Sequence, residues 1–469
     1  MDPLTKIICT LGPATQTAAQ IMRLKSAGMN IARINLSHGS RVQHTSLIKT
    51  IKTINKTSAE PLGILLDTKG GEIRTGDVKS PIAVKKGEEV IFSPHELTHE
   101  KYKVIHVNYD GFAQDVRETD RILLDNGELS FAIVSIQKNG AVLARANQGG
   151  IIGSRRHVNL PGADLDVPSI TKKDWNDLAF AIKQDIDFVA LSFIRTAEDI
   201  EEVRSFFKKK RSDIELIAKI ETAQAVENIQ EIIRVSDGIM VARGDLGAEI
   251  PFERLPAIQD AIVSLCRDAG KPVIVATHML ESMKEHAIPT RAEITDVAHA
   301  AITQTDATML SGETASGKNP LLAVEAMSRI LVETERNIAH FIHTEDNYIH
   351  DEREARAEAA VRMAESLGGL PIVVFTRTGR TAQTICKFRP SHKIIAFTPT
   401  ESRQRKLALR FGVIPLLLPF KEDPEATLAT AFRKARDCRL LSRREKIVLV
   451  SDTKTPLGSI STVQVRQVP

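Results

Sequence analysis

Eight short apolar, β-branched runs, each ending in polar or charged residues, constrain what this chain can fold into more than any other feature. They span residues 6–11, 31–36, 62–67, 187–192, 215–220, 238–242, 272–277 and 307–311. Continuous apolar runs of this length are strands buried on both faces. Stretches with helical periodicity lie between most of them, for example 18–27, 197–207 and 256–269. Eight strands alternating with helices predict an α/β protein built on a closed (β/α)8 TIM barrel, with an open doubly wound sheet as the competing topology.

The rhythm breaks once. Residues 67–187 are far more chain than one helix needs. They show alternating β patterning and turn dipeptides at Lys86-Gly87, Asp110-Gly111, Asn126-Gly127 and Asn139-Gly140. This predicts an inserted all-β lid domain at residues 71–163, placed where a barrel keeps its chemistry. The barrel is then discontinuous, residues 1–70 and 164–340. After residue 340 helical stretches (351–367, 380–388, 401–411, 424–437) alternate with strand-like runs (372–375, 393–397, 413–418, 446–450, 463–468), which predicts a C-terminal α/β domain at 341–469.

With 469 residues, 42% hydrophobic and 26% charged, the chain has the composition of a folded, soluble protein rather than a disordered one. Four dispersed cysteines give no disulfide scaffold and no zinc-binding spacing, which suits a reducing cytoplasm. No apolar run approaches the ~18 residues of a membrane span, and the N-terminus does not read as a signal peptide, so no membrane partner is expected. The net charge of +4 hides a segregation. Residues 371–469 hold 19 Lys/Arg against 7 Asp/Glu, a balance of +12 that leaves −8 on residues 1–370. A basic third of this kind meets an anionic ligand, an anionic partner or nothing but solvent.

In a barrel, functional groups gather at the C-terminal ends of the strands. Here those ends carry Arg33, Asn35, Ser37 and His38; Asp67, Thr68 and Lys69; Lys219 and Glu221; Arg243, Gly244 and Asp245; Thr277 and His278; and Ser311, Gly312 and Glu313. Alternation along a strand puts Lys219 and Glu221 on one side of the mouth. With Asp245 from the next strand they form a donor set suited to Mg2+, which takes one or two carboxylates together with water and substrate oxygens. The competing reading is a buried Lys219–Glu221 salt bridge. Arg33 suits a phosphate clamp. Asn35, Ser37, Asp67 and Thr68 offer oxygens for a hard cation, or simple capping of the following turns. His38 and His278 read as walls of the site rather than nucleophiles. No Walker A, GxGxxG, HExxH or GxSxG motif occurs.

At these residues the sequence resembles pyruvate kinases. The matching blocks are TKIICTLGPAT (5–15), MNIARINLSHG (29–39), DTKGGEIRTG (67–76), NLPGA (159–163), ELIAKIE (215–221), GIMVARGDLGAEIP (238–251), ATHMLESM (276–283), PTRAEITDV (289–297) and MLSGETASG (309–317), in the family's order. The resemblance implies a glycolytic phosphotransferase, an ATP:pyruvate 2-O-phosphotransferase. It would take phosphoenolpyruvate and ADP to pyruvate and ATP with Mg2+ (or Mn2+) and K+, as a homotetramer. It implies that Arg33 binds the substrate phosphate and that Lys219 stabilises the transferring group. Glu221 and Asp245 would hold Mg2+. Gly244, Asp245 and Thr277 would hold the substrate carboxylate, with Thr277 near the protonation step. Asn35, Ser37, Asp67 and Thr68 would ligate K+. Asn35, Leu36, Ser37, His38, Arg74 and Arg156 would contact the nucleotide. Glu72 matches the K+-requiring members, a lysine there marking the others.

Three departures stand out. Gly71 replaces the family's usual proline, which predicts a looser hinge into the lid. His278 replaces a common amide. Arg155-Arg156-His157 stands where the family tends to have Lys-Lys-Gly. In the C-terminal domain, Thr376, Arg377, Thr378, Gly379, Arg380 and Thr381 follow a strand and open a helix, a phosphate-binding arrangement that resembles the family's effector loop. Its far wall would come from residues 453–461. A sugar phosphate or a nucleotide is expected there, and the basic balance of the terminal third suits it. The rival readings are a metal-dependent lyase on a related barrel, a catalytically dead relative, and nucleic-acid binding. The last is weakened by an aromatic content of only 4%.

Overall fold

The computed structural model describes residues 2–117, 120–163, 165–337, 349–455 and 458–469. All eight predicted strands form: β1 (Lys6–Thr10), β2 (Met29–Asn35), β3 (Gly63–Asp67), β4 (Phe188–Leu191), β5 (Glu215–Ile220), β6 (Gly238–Ala242), β7 (Val273–Ala276) and β8 (Ala307–Leu310). They close into one barrel in the order β1-β8-β7-β6-β5-β4-β3-β2, every pairing parallel, which excludes the open sheet.

The strands are apolar on both faces because both faces are buried. Ile7, Ile64, Val189, Leu216 and Val241 point outward into the helices. Ile8, Ile31, Leu65, Phe188, Ile217, Met240, Ile274 and Met309 fill the interior. Two residues of the terminal segment, Ala408 and Leu409, join that interior cluster and plug the bottom of the barrel. Full burial of a leucine is worth ~1.5–3 kcal/mol, so the plug also ties the two units together.

The inserted segment is all-β in its regular structure apart from two short helical turns. Its main sheet has the order Val158–Asn159, Arg121–Leu124, Leu129–Ile136, Val142–Ala146, Glu89–Ser93, Lys103–His106. Gly140 (φ 80°) turns a hairpin as expected, whereas Asp110-Gly111 does not: Gly111 (φ −76°) caps the short helix Phe112–Asp115. At Gly71 a Cβ would sit 2.6 Å from the Pro168 carbonyl oxygen and 2.7 Å from Val167 Cγ1, so the missing side chain also lets the two hinge segments approach closely.

The terminal segment forms a five-stranded sheet of β9 (Ile372–Phe375), β10 (Ile394–Thr398), β11 (Val413–Leu417), β12 (Lys446–Thr455) and β13 (Gly458–Gln467), in the order β11-β10-β9-β12-β13. It is parallel except for β12–β13, an antiparallel hairpin longer than the sequence pattern shows. The charge segregation acquires a physical reason here. Arg405 pairs with Asp187, Arg403 and Arg410 with Glu215, Lys406 with Asp213, and Arg389 with Asp306. Part of the basic balance is therefore spent on docking to acidic groups at the bottom of the barrel.

Candidate functional site

The C-terminal ends of the strands converge on a cavity of about 180 Å3. Its lining includes Arg33, Asn35, Ser37, His38, Asp67, Thr68, Glu72, Arg74, Lys219, Glu221, Asp245 and Thr277. Register explains the gathering. Arg33 pairs with Thr10 of β1, and Asn35 lies level with Asp67 of β3, itself level with Ala190 of β4.

A buried network holds the charges. Arg33 Nε donates to Asp67 Oδ2 at 2.7 Å and an Nη group donates to Thr10 Oγ1 at 2.8 Å. Lys219 Nζ lies 2.8 Å from Glu221 Oε1 and 3.2 Å from Asp67 Oδ1, and donates to Ser192 Oγ at 2.7 Å. The salt bridge that rivals a metal site in the sequence reading is thus present. Burial penalises the charged form of Lys219, but Asp67 and Glu221 more than offset it and hold its pKa above the ordinary lysine value. Burial likewise opposes ionisation of Asp67, yet Lys219 and Arg33 outweigh it and keep the carboxyl below its usual range.

Glu221 and Asp245 differ from Asp67. Burial pushes Glu221 up to about 7, with Asp245 adding to the effect against Lys219. Asp245 is raised by burial and by Glu72, and lies close enough to Glu221 to hydrogen-bond with it. Arg33 serves Asp67, Lys219 is shared by Asp67 and Glu221, and Arg74 serves Glu72. The three cations so engaged meet four carboxylates, and Glu221 and Asp245, both raised by burial, stand together where a cation would fit. The residues present therefore suit a divalent metal ion.

Thr277 and His278 both adopt left-handed backbone (φ 68° and 54°) at the end of β7. For a β-branched residue this costs of order 1–3 kcal/mol, and surrounding bonds must hold it. Arg243 does so, donating to the Thr277 carbonyl at 2.7 Å while paired with Asp296 at 2.6 Å. The turn aims Thr277 Oγ1 at the Gly244 amide, which donates to it at 2.7 Å.

Not every candidate reaches the cavity. Leu36 is buried core, and His278 faces solvent. Arg156 pairs with Asp125 inside the lid at 3.0 Å and does not line either cavity described here. Asn35 Oδ1 accepts the Ser37 amide at 2.9 Å and Thr68 Oγ1 the Ser192 amide at 3.1 Å, so both currently serve turns. Ser192 is absent from the candidates although the strand-end rule, applied to β4, points to it. The roles of Arg243 with Asp296 and of His157 had no sequence signal, because their partners are distant in the chain. A second cavity of about 650 Å3 adjoins the first across Arg33, Asn35 and His38, and is walled by Gly12, Pro13, Gln43, His44 and Ser316.

In the terminal segment, Gly379 (φ 87°) opens the helix Arg380–Lys387. Thr376 is buried, and its hydroxyl accepts the Gly379 amide at 2.9 Å, closing the loop. Arg377 lies over the Phe420 ring, and Thr378 and Arg380 are exposed. The expected far wall at 453–461 falls largely outside the described residues, since the side chains of 453–459 are not described.

Comparison with known proteins agrees with this architecture. The pyruvate kinase barrel-domain model matches residues 3–324 and the pyruvate kinase alpha/beta-domain model residues 354–466. Plastidial pyruvate kinase 2 of Arabidopsis thaliana is 41% identical over 99% of this chain and 81% of its own length. A pyruvate kinase of Staphylococcus epidermidis is 39% identical over 96% of the chain and 78% of its own length. A crystal structure of a pyruvate kinase from Cryptosporidium parvum superimposes with a TM-score of 0.91 at 34% identity, covering 100% of this chain and 96% of that one. With an eight-stranded barrel, an appended α/β domain and kinship along almost its whole length, the chain belongs to the pyruvate kinase family, enzymes that convert phosphoenolpyruvate and ADP to pyruvate and ATP.

Proposed function

We propose that the 180 Å3 cavity is where this chain performs that reaction, with the roles divided as follows. Arg33 clamps the phosphate of phosphoenolpyruvate. Lys219, poised between Asp67 and Glu221, turns its ammonium to the phosphoryl group in flight. The backbone of Gly244 and Asp245, with Thr277, holds the substrate carboxylate, and Thr277 stands at the carbon that is protonated. Glu221 and Asp245 would hold Mg2+ or Mn2+, which when bound supplies Lewis-acid stabilisation of charge on phosphoryl oxygens. Asn35, Ser37, Asp67 and Thr68 would hold K+. Asn35, Ser37, His38 and Arg74, with the adjoining 650 Å3 cavity, would take the nucleotide. The observation that carries this reading is the convergence of two buried cations, Arg33 and Lys219, on one small cavity beside the carboxylates of Glu221 and Asp245.

Pyruvate kinases generally need a divalent metal ion and K+. A lactate-dehydrogenase-coupled assay should lose all turnover on chelation of the divalent ion and most of it when Na+ replaces K+. Glu72→Lys places an ammonium beside the cation site and should relieve the K+ requirement. Full activity of the wild type in Na+ would refute the K+ assignment.

The domain reading accompanies it: residues 1–70 and 164–340 as the catalytic barrel, 71–163 as a lid, 341–469 as a regulatory domain. The loop Thr376–Thr381 would bind a sugar phosphate or nucleotide. Thr378, being exposed, is the residue to change. A phosphorylated effector should sharpen phosphoenolpyruvate saturation in the wild type and have no effect on Thr378→Glu, whose basal turnover stays intact. A response retained by that variant would exclude the loop. A cytoplasmic homotetramer completes the proposal; the solvent-facing Phe252 and Ile288 and the four unpaired cysteines are compatible with it. Among the described residues no helix is long and apolar enough to cross a membrane.

A further inference from the structure

We propose that His157 latches the lid to the carboxylates of the barrel mouth, a positioning residue that holds Asp245 and keeps the lid seated over the cavity. The inference rests on reading Glu221 and Asp245 as the divalent-cation ligands.

His157 lies in the hinge ladder. Its backbone bridges to Arg74, and its carbonyl accepts the Asp125 amide at 3.1 Å. Its side chain leaves the lid and enters the cavity of the barrel, where it is only 12% exposed. Nδ1 lies 3.4 Å from Asp245 Oδ1. The ring stands edge-on to Phe193, with centroids 5.7 Å apart and planes at 62°. Phe193 itself, held at φ 53° at the end of β4, donates its amide to Glu221 Oε2 at 2.7 Å.

One lid side chain thus touches Asp245 directly and packs on the residue that orients Glu221. An imidazole at this distance can present an N–H to a carboxylate oxygen. Engaging one oxygen of Asp245 leaves the other for a cation and fixes the carboxylate plane, the usual office of a partner just outside a metal's ligands. Nearby, Asn159 donates to Glu249 at 3.0 Å and ties the same lid strand to the helix Arg243–Glu249. The neighbouring Arg156 is turned back onto Asp125 and adds nothing to this contact. Two polar contacts two residues apart, at His157 and Asn159, thus tie this edge of the lid to the barrel, and the His157 contact reaches the reacting end.

The test uses the full chain without substrate or nucleotide, and Mn2+ as the probe. Free Mn2+ is measured by electron paramagnetic resonance for the wild type, His157→Ala, His157→Asn and Asp245→Asn. Amide exchange is followed in parallel at Val158–Asn159, with the strands Leu129–Ile136 and Val142–Ala146 as the control for an intact lid. His157→Ala should weaken Mn2+ about tenfold. It should also speed exchange at Val158–Asn159 while the control strands stay protected. His157→Asn, which restores an N–H donor, should recover most of the affinity. Unchanged Mn2+ affinity and exchange in His157→Ala would overturn the latch, as would an Asn variant as weak as the Ala variant. Wild-type Mn2+ binding by Asp245→Asn would instead reject the carboxylate reading beneath it.

Discussion

Lys219→Met should lower kcat by about 10^3-fold or more while the circular dichroism spectrum stays that of the wild type. Charge-stabilising cations in phosphoryl transfer are worth ~10^3–10^5 in rate, and Lys219 is aimed into the cavity by three polar contacts. Methionine nearly matches the lysine stem in volume, so packing against the barrel interior survives. The substitution leaves Asp67 and Glu221 without their shared cation. Losing Lys219 removes the group that lowers the Glu221 pKa, so Glu221 is pushed further towards its neutral form, which limits the damage to the fold. Lys219→Arg should not rescue turnover, because a planar guanidinium cannot occupy the same point between two carboxylates and Ser192. Wild-type kcat in Lys219→Met would remove Lys219 from the chemistry.

Arg389→Met should destabilise the protein by about 3–5 kcal/mol, the cost of stranding a buried charge. Arg389 donates to both oxygens of Asp306 at 3.0 and 2.6 Å, and the two side chains are 4% and 3% exposed. Asp306 also accepts the amides of Val273 and Phe411, so one carboxylate joins the start of β7, the start of β8 and the terminal segment. Urea unfolding followed by intrinsic fluorescence and circular dichroism measures the loss. Arg389→Met combined with Asp306→Asn should recover part of it, because the stranded charge is gone. A loss below about 0.5 kcal/mol for Arg389→Met would place this pair among the weak surface bridges instead.

The two predictions differ in how far sequence reasoning could reach them. Lys219 is legible because strand alternation puts it on one face with Glu221, and because functional groups collect at strand ends. The same rule finds Arg33, Asp67, Asp245 and Thr277, and register brings all of them to one cavity. The pairing of Arg389 with Asp306 is not legible. The residues lie 83 positions apart, and nothing local in either segment marks a partner. The same holds for His157 and Asp245, or Arg243 and Asp296. Residue type alone also leaves the surroundings of Gly71 and Thr376 open: the close approach of Val167-Pro168 and the bond from the Gly379 amide to the Thr376 hydroxyl come from the fold.

What the sequence determined by itself is whatever follows from local periodicity: eight strands, an inserted β segment, a terminal α/β segment and the identity of the strand-end residues. These depend on side-chain alternation and turn chemistry within a few residues. What only the tertiary structure decided is which charges neutralise one another. Coulomb energy in a buried site depends on separations of a few ångströms, which the fold sets and chain distance does not. The segregation of +12 from −8 was visible from composition, but its partial use in docking the terminal segment to the bottom of the barrel required the ion pairs at Asp187, Glu215 and Asp306.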